Sequence, residues 1–126
     1  IDYLHSSSSV RTFETSKYFI NQIQFEKVEY DDSLYHCSAT SILNMIRSYS
    51  DNYQSVMIIA HNPGLTNLIN SITNISLDNL PTSGLAKIVS IELSSILSKS
   101  EYACIPLSCN DFIRSNCKSM PVAELQ

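Results

Sequence analysis

Glycine is almost missing from this chain: Gly64 and Gly84 are the only two among 126 residues. A phosphate cradle built on a glycine-rich loop, whether GxGxxG or Walker A, is therefore excluded. Long hydrophobic runs are missing too. The longest uncharged apolar stretch, Val56 to Ala60, covers five residues, against the ~20 that span a bilayer. Positive charge is scarce: eight Lys and Arg stand against twelve Asp and Glu, for a net charge of −4. That balance opposes a nucleic-acid partner, which normally meets a basic face. The four cysteines, Cys37, Cys104, Cys109 and Cys117, contain no CxxC pair, and no histidine stands at zinc-ligand spacing from them. They read as reduced thiols, and no metal or organic cofactor is expected.

What is present suffices for one packed domain. Apolar residues make up 44% and charged residues 16% of the chain, enough hydrophobic material for a core and too little charge for a disordered tail. No secretory leader pattern and no membrane span are visible, so a cytoplasmic location is expected.

Ile1 to His5 reads as a strand ended by the turn Ser6 to Ser9. Val10, Phe13, Tyr18, Phe19, Ile20 and Ile23 recur at helical spacing, with Ser8 or Ser9 as N-cap. Phe25 to Tyr30 alternates as a short half-buried strand does, and Asp31-Asp32-Ser33 forms a turn. Ser38 caps a second helix with Ile42, Leu43, Ile46 and Tyr49 on one face, closed by Asp51-Asn52. Val56 to Ala60, rich in β-branched residues, suits a central parallel strand covered on both faces. Pro63 is placed to start a third helix, Leu65 to Ile72. Strands are expected over Leu85 to Leu93 and Tyr102 to Ile105, and an irregular segment over Leu107 to Gln126 around Phe112 and Ile113. Helices alternating with strands predict an α/β fold with a mainly parallel central sheet.

In such a sheet the site lies at the carboxyl ends of the strands. Two strands end there in polar clusters, Ser6-Ser7-Ser8-Ser9-Val10-Arg11 and Ala60-His61-Asn62-Pro63-Gly64. Arg11 stands in the first turn of its helix, where a cation opposes the helix dipole and free N–H groups favour an anion. If the strands are near neighbours, Arg11 and His61 converge, and an Arg fork beside a His is a phosphate site in outline.

These segments carry a resemblance. Asp2 to Thr15 is similar to the D-x-x-x-x-S-P-x-x-R-x-x-x-T pattern of the histidine phosphatase superfamily, with Ser8 in the proline's place. Val56-Met57-Ile58-Ile59-Ala60-His61-Asn62-Pro63-Gly64-Leu65 resembles the V-x-x-V-G-H-N-P-G-L segment of its SixA-type phosphohistidine phosphatase branch. Leu34-Tyr35 and Leu80-Pro81-Thr82-Ser83-Gly84 also match, so the likeness runs from Asp2 to about Glu92.

The resemblance implies a three-layer, phosphoglycerate-mutase-like sandwich. It also implies phosphoryl transfer through a phosphohistidine, on a phosphorylated protein or a small phosphomonoester. Arg11 and His61 take the places of the second catalytic arginine and histidine, and Ser7 can add a phosphate contact or simply cap the helix. Short loops suit a shallow pocket and a protein-borne phosphate.

The family's nucleophile belongs to an Arg-His-Gly or Arg-His-Ala motif on a first strand, and no Arg-His dipeptide occurs in this sequence. The resemblance thus implies that residues 1–126 form a single domain lacking that strand at its N-terminus. The alternative is an inactive phosphate-binding or protein-interaction homologue. Losing a central strand is expected to leave a sheet edge unpaired. His5 falls inside a strand and His36 is expected to be exposed. Asp31 and Asp32 are positional candidates for a general acid, or turn and cap residues. Tyr35 either lines the pocket or packs on the following helix.

Overall fold

The computed structural model describes residues 1–50, 52–81, 84–89, 101–106 and 122–125. In chain order the elements are β1 (Tyr3–Ser7), α1 (Val10–Ile20), β2 (Lys27–Asp31), a 3-10 turn (Asp32–Leu34), α2 (Ala39–Ser48), β3 (Ser55–Ala60), α3 (Gly64–Ile72), β4 (Leu85–Val89), β5 (Glu101–Pro106) and β6 (Val122–Leu125). The strands form one sheet in the order β2-β1-β3-β5-β4-β6. The run from β2 through β1 and β3 to β5 is parallel, β4 is antiparallel to β5, and β6 is parallel to β4. An α/β chain with a mainly parallel sheet is what forms.

Strand alternation supplies two separate cores. Tyr3, Val56, Ile58 and Ala60 pack with Ile42, Ile46, Leu65, Leu68 and Ile69 from α2 and α3. Leu4, Met57 and Ile59 pack with Phe19 of α1. Val56 to Ala60 is apolar throughout because both of its faces are covered.

Local chemistry sets the helix starts. Ser9 Oγ accepts the Thr12 amide at 3.3 Å, and Ser38 Oγ accepts the Ser41 amide at 3.1 Å. Both are N-caps. Pro63 is the N-cap of α3 and not its first helical residue. The helix predicted to close at Asp51-Asn52 ends earlier, at Ser48 with Tyr49 as C-cap; Asp51 itself lies outside the described residues.

The largest departure concerns α1. Of its expected apolar stripe, Phe19 and Ile23 pack on the sheet side, but Val10 is 78% exposed, and Phe13 and Ile20 are exposed as well. The buried face is Thr12, Thr15, Ser16 and Phe19. Small polar side chains let the helix lie close to β1, and their hydroxyls are satisfied there. Thr12 Oγ1 donates to the Ser7 carbonyl at 2.5 Å, and Ser16 Oγ contacts the Phe13 carbonyl at 2.7 Å and Tyr30 Oη at 2.8 Å.

Other expectations shift by a residue or two. β1 ends at Ser7 and not His5, and β2 is a largely exposed edge strand displaced towards Asp31. The Asp31-Asp32-Ser33 turn is the 3-10 turn, with Asp31 as its cap. The segment expected to be irregular after Leu107 contains β6, which gains regular structure by pairing with β4. Residues 90–93, Phe112, Ile113, Cys109 and Cys117 lie outside the described residues. The expected open edge does not arise at β3, because β1 pairs with one side of that strand and β5 with the other. Among the described residues no helix is long and apolar enough to cross a membrane.

Candidate active site

The register of the parallel strands assembles the site. Ser6 of β1 stands opposite Ile59 of β3, and Ser7 opposite Asp31 of β2. One step further along, Ser7 and His61 leave the same rim of the sheet side by side. His61 Nε2 lies 3.1 Å from Ser7 Oγ, a buried contact between residues 54 positions apart.

Ser7 is held from below and above. Its carbonyl accepts the hydroxyls of Thr12 and Ser6, and its Oγ lies 3.4 Å from the Ser9 amide. Ser7 closes β1, and its side chain reaches the amide of Ser9, the N-cap that opens the first turn of α1. Arg11, in that same turn, is exposed and among the described residues forms no ion pair. Its charge reaches His61: burial first, then the Arg11 guanidinium and His36, hold the His61 pKa below the usual 6.5. His61 is therefore a neutral imidazole at neutral pH.

The turn that carries His61 is braced by its neighbour. Asn62 Oδ1 accepts the Thr66 hydroxyl at 2.9 Å, while its Nδ2 donates to the Leu80 carbonyl at 2.9 Å. The Leu80 amide in turn donates to Thr66 Oγ1 at 2.9 Å. Asn62 is thus a structural strut between α3 and the loop before β4. Gly64 starts α3 against the Cys37 carbonyl, so closely that a Cβ would collide with that oxygen. The contact brings the segment Tyr35 to Cys37 over the rim.

That segment supplies two residues whose part in the site the sequence left open. The Tyr35 ring meets His61 edge-on, with centroids 5.1 Å apart, and the His36 ring lies 5.9 Å from His61. His36 is exposed, as expected, yet it faces the site. Its φ of 52° places a non-glycine residue in the left-handed region, a conformation often found where function holds it. For Tyr35 the sequence signals were the matching Leu34-Tyr35 pair and its place just ahead of a capped helix; for His36 position was the one signal.

The acid candidates do not join this cluster as acids. Asp31 accepts the Ser33 hydroxyl at 2.6 Å and the Ser33 amide at 2.8 Å, bonds that lower its pKa and keep it ionised. Asp32 accepts the Ser8 hydroxyl, tying the 3-10 turn to the start of α1. His5 is buried inside β1 against Tyr3 and Tyr49, away from this rim.

Among the described residues no three His, Cys, Asp or Glu side chains converge as metal ligands. The rim instead offers one guanidinium, two imidazoles, a hydroxyl and the N-terminus of a helix. These groups suit an oxyanion. Comparison with known proteins adds nothing to this geometry: no family model, no curated protein and no solved structure matches the chain.

Proposed function

We propose that Ser7, Arg11 and His61 bind a phosphoryl group, and that the chain contributes this half of a phosphatase site. In this reading the fold is the three-layer, phosphoglycerate-mutase-like arrangement of the histidine phosphatase superfamily. The substrate is a phosphohistidine on a protein or another phosphomonoester. The attacking imidazole comes from outside these residues, since no Arg-His pair is present. It forms an N–P bond as the bond from phosphorus to the leaving group breaks, and water then hydrolyses the phosphoimidazole.

The observation that carries the reading is the meeting of His61 and Ser7 at 3.1 Å, with an arginine in the next helical turn that has no ion pair among the described residues. Arg11 supplies a two-pronged donor to the equatorial oxygens, and His61 and Ser7 donate to a third. A bound phosphate also opposes the repulsion that Arg11 and His36 exert on protonated His61. Its arrival therefore raises the His61 pKa, and the resulting imidazolium stabilises the charge that develops in transfer.

Titration of the 126-residue chain with inorganic phosphate, followed by histidine ring NMR, tests the site. The His61 pKa rises on binding, and Arg11→Gln weakens phosphate affinity by about tenfold. A His61 signal indifferent to phosphate overturns the reading. The chain alone leaves a phosphohistidine peptide intact, and hydrolysis would place the nucleophile within it. The second reading, an inactive phosphate-binding or protein-interaction homologue, shares the anion site. Supplying an Arg-His strand by fusion separates the two, because only the phosphatase reading expects turnover then.

A further inference from the structure

Apart from that rim, a cavity of about 320 Å³ opens between the β1–β2 edge of the sheet and the C-terminal end of α2. It shares no residue with the Ser7, Arg11, Tyr35, His36 and His61 cluster. Its volume is at the lower end of small-ligand pockets.

Aromatic faces dominate one side. Tyr3 and Tyr53 stack with centroids 5.0 Å apart, and Tyr49 meets Tyr3 edge-on at 5.1 Å. The other side is acidic, with Glu29 and Asp31. The two Ser33 donors both go to Asp31 Oδ1, which leaves Oδ2 towards the cavity side, 3.4 Å from His5 Nε2.

His5 is a buried titratable group in the lining. It is 4% exposed, and its Nε2 makes no hydrogen bond. Its Nδ1 lies 2.5 Å from the Tyr49 hydroxyl. With the Asp31 carboxylate beside Nε2, the proton of the neutral ring belongs on Nε2, and Nδ1 accepts from Tyr49. That proton faces Asp31 Oδ2 at 3.4 Å, too long for a well-formed hydrogen bond, and a weakly satisfied buried donor ordinarily costs stability.

The chain shows in miniature what the cavity accepts. Lys27 Nζ sits 4.9 Å from the centroid of the Tyr3 ring and 2.6 Å from Glu29 Oε2. An ammonium is therefore already held between a tyrosine face and a carboxylate here. Lys27 balances only one of the two acids, so the lining keeps a charge of −1 with His5 neutral. That sign rejects an anion and favours a second cation.

We propose that this cavity is a binding site for a small organic ammonium ion. The charge lies against the tyrosine faces and the Asp31 carboxylate. The site is independent of the phosphate site and stands or falls separately.

The test uses choline and its uncharged isostere 3,3-dimethylbutan-1-ol, with histidine and tyrosine ring NMR on the whole chain. Choline moves the His5, Tyr3, Tyr49 and Tyr53 signals saturably and leaves His61 in place; the isostere does not. Asp31→Asn weakens choline binding by about tenfold. Tyr53→Leu, which keeps the apolar bulk and leaves the Asp31 cap intact, does the same. Absence of a saturable shift, equal affinity for the isostere, or wild-type affinity in both variants overturns the proposal. A shift of these signals by inorganic phosphate in place of choline overturns it as well.

Discussion

At the scale of single residues, charge and backbone strain meet at His36. Its left-handed φ of 52° is a conformation that glycine adopts without penalty, and its imidazole helps to depress the His61 pKa. His36→Gly separates these effects. The variant gains up to about 1 kcal/mol of stability as backbone strain is relieved, measured by urea denaturation. Its His61 pKa moves up towards 6.5, measured by NMR titration, and phosphate binds more weakly because a ring donor is gone. A loss of stability would show that His36 is held by packing and not merely tolerated. Asn62, by contrast, is a residue of the resembling motif whose side chain is committed to Thr66 and Leu80. It braces the turn between α3 and the loop before β4.

At the scale of elements, α1 shows how hydrophobic periodicity can mislead. Val10, Phe13 and Ile20 recur at helical spacing, yet the helix turns Thr12, Thr15 and Ser16 to the sheet. Apolar pattern predicts the buried face when burial is the only gain on offer. Here the Ser7 carbonyl at the end of β1 offers an acceptor, and Thr12 reaches it at 2.5 Å. Thr12→Val keeps the shape and removes that donor. Stability falls by about 1–2 kcal/mol, and because the bond steadies Ser7, the contact between Ser7 and His61 loosens. Urea denaturation and the His61 ring shift report the two effects. An unchanged midpoint would mean that α1 is held by Phe19 alone.

At the scale of the whole molecule, His5 and His61 are both buried, and both have depressed pKa values. Desolvation is the first cause for each, with Asp31 opposing it at His5 and with Arg11 and His36 adding to it at His61. The folded state thus binds fewer protons than the unfolded chain once the pH falls below the ordinary histidine value of 6.5. Stability is greatest above that value and declines as the pH drops from it towards the folded pKa values. The slope is at most about 1.4 kcal/mol per pH unit for each histidine. Asp2, Asp31 and Glu29, whose pKa values are lowered by hydrogen bonds, add a second loss below their ordinary 3.8 and 4.5. Denaturation midpoints at about pH 7.5 and about pH 5.5 measure the first effect. Equal midpoints would mean that neither histidine is buried neutral in solution.

Much was readable without coordinates. The serine caps of α1 and α2 and the doubly covered β3 follow from local hydrogen bonding and from continuous β-branched character, which depend on neighbours in the chain. Arg11 and His61 could be nominated because each follows an apolar strand, where the backbone turns out of the sheet. Local sequence therefore determined the order of the elements up to β5 and the candidates for chemistry, while β6 was missed. Only the folded molecule decided which face α1 buries, that Tyr35 and His36 come to His61, that β5 pairs with β3, and that His5 lies beside Asp31 at a cavity. Those outcomes depend on parallel register and on contacts between segments distant in the chain, and no local pattern encodes a distance between strands.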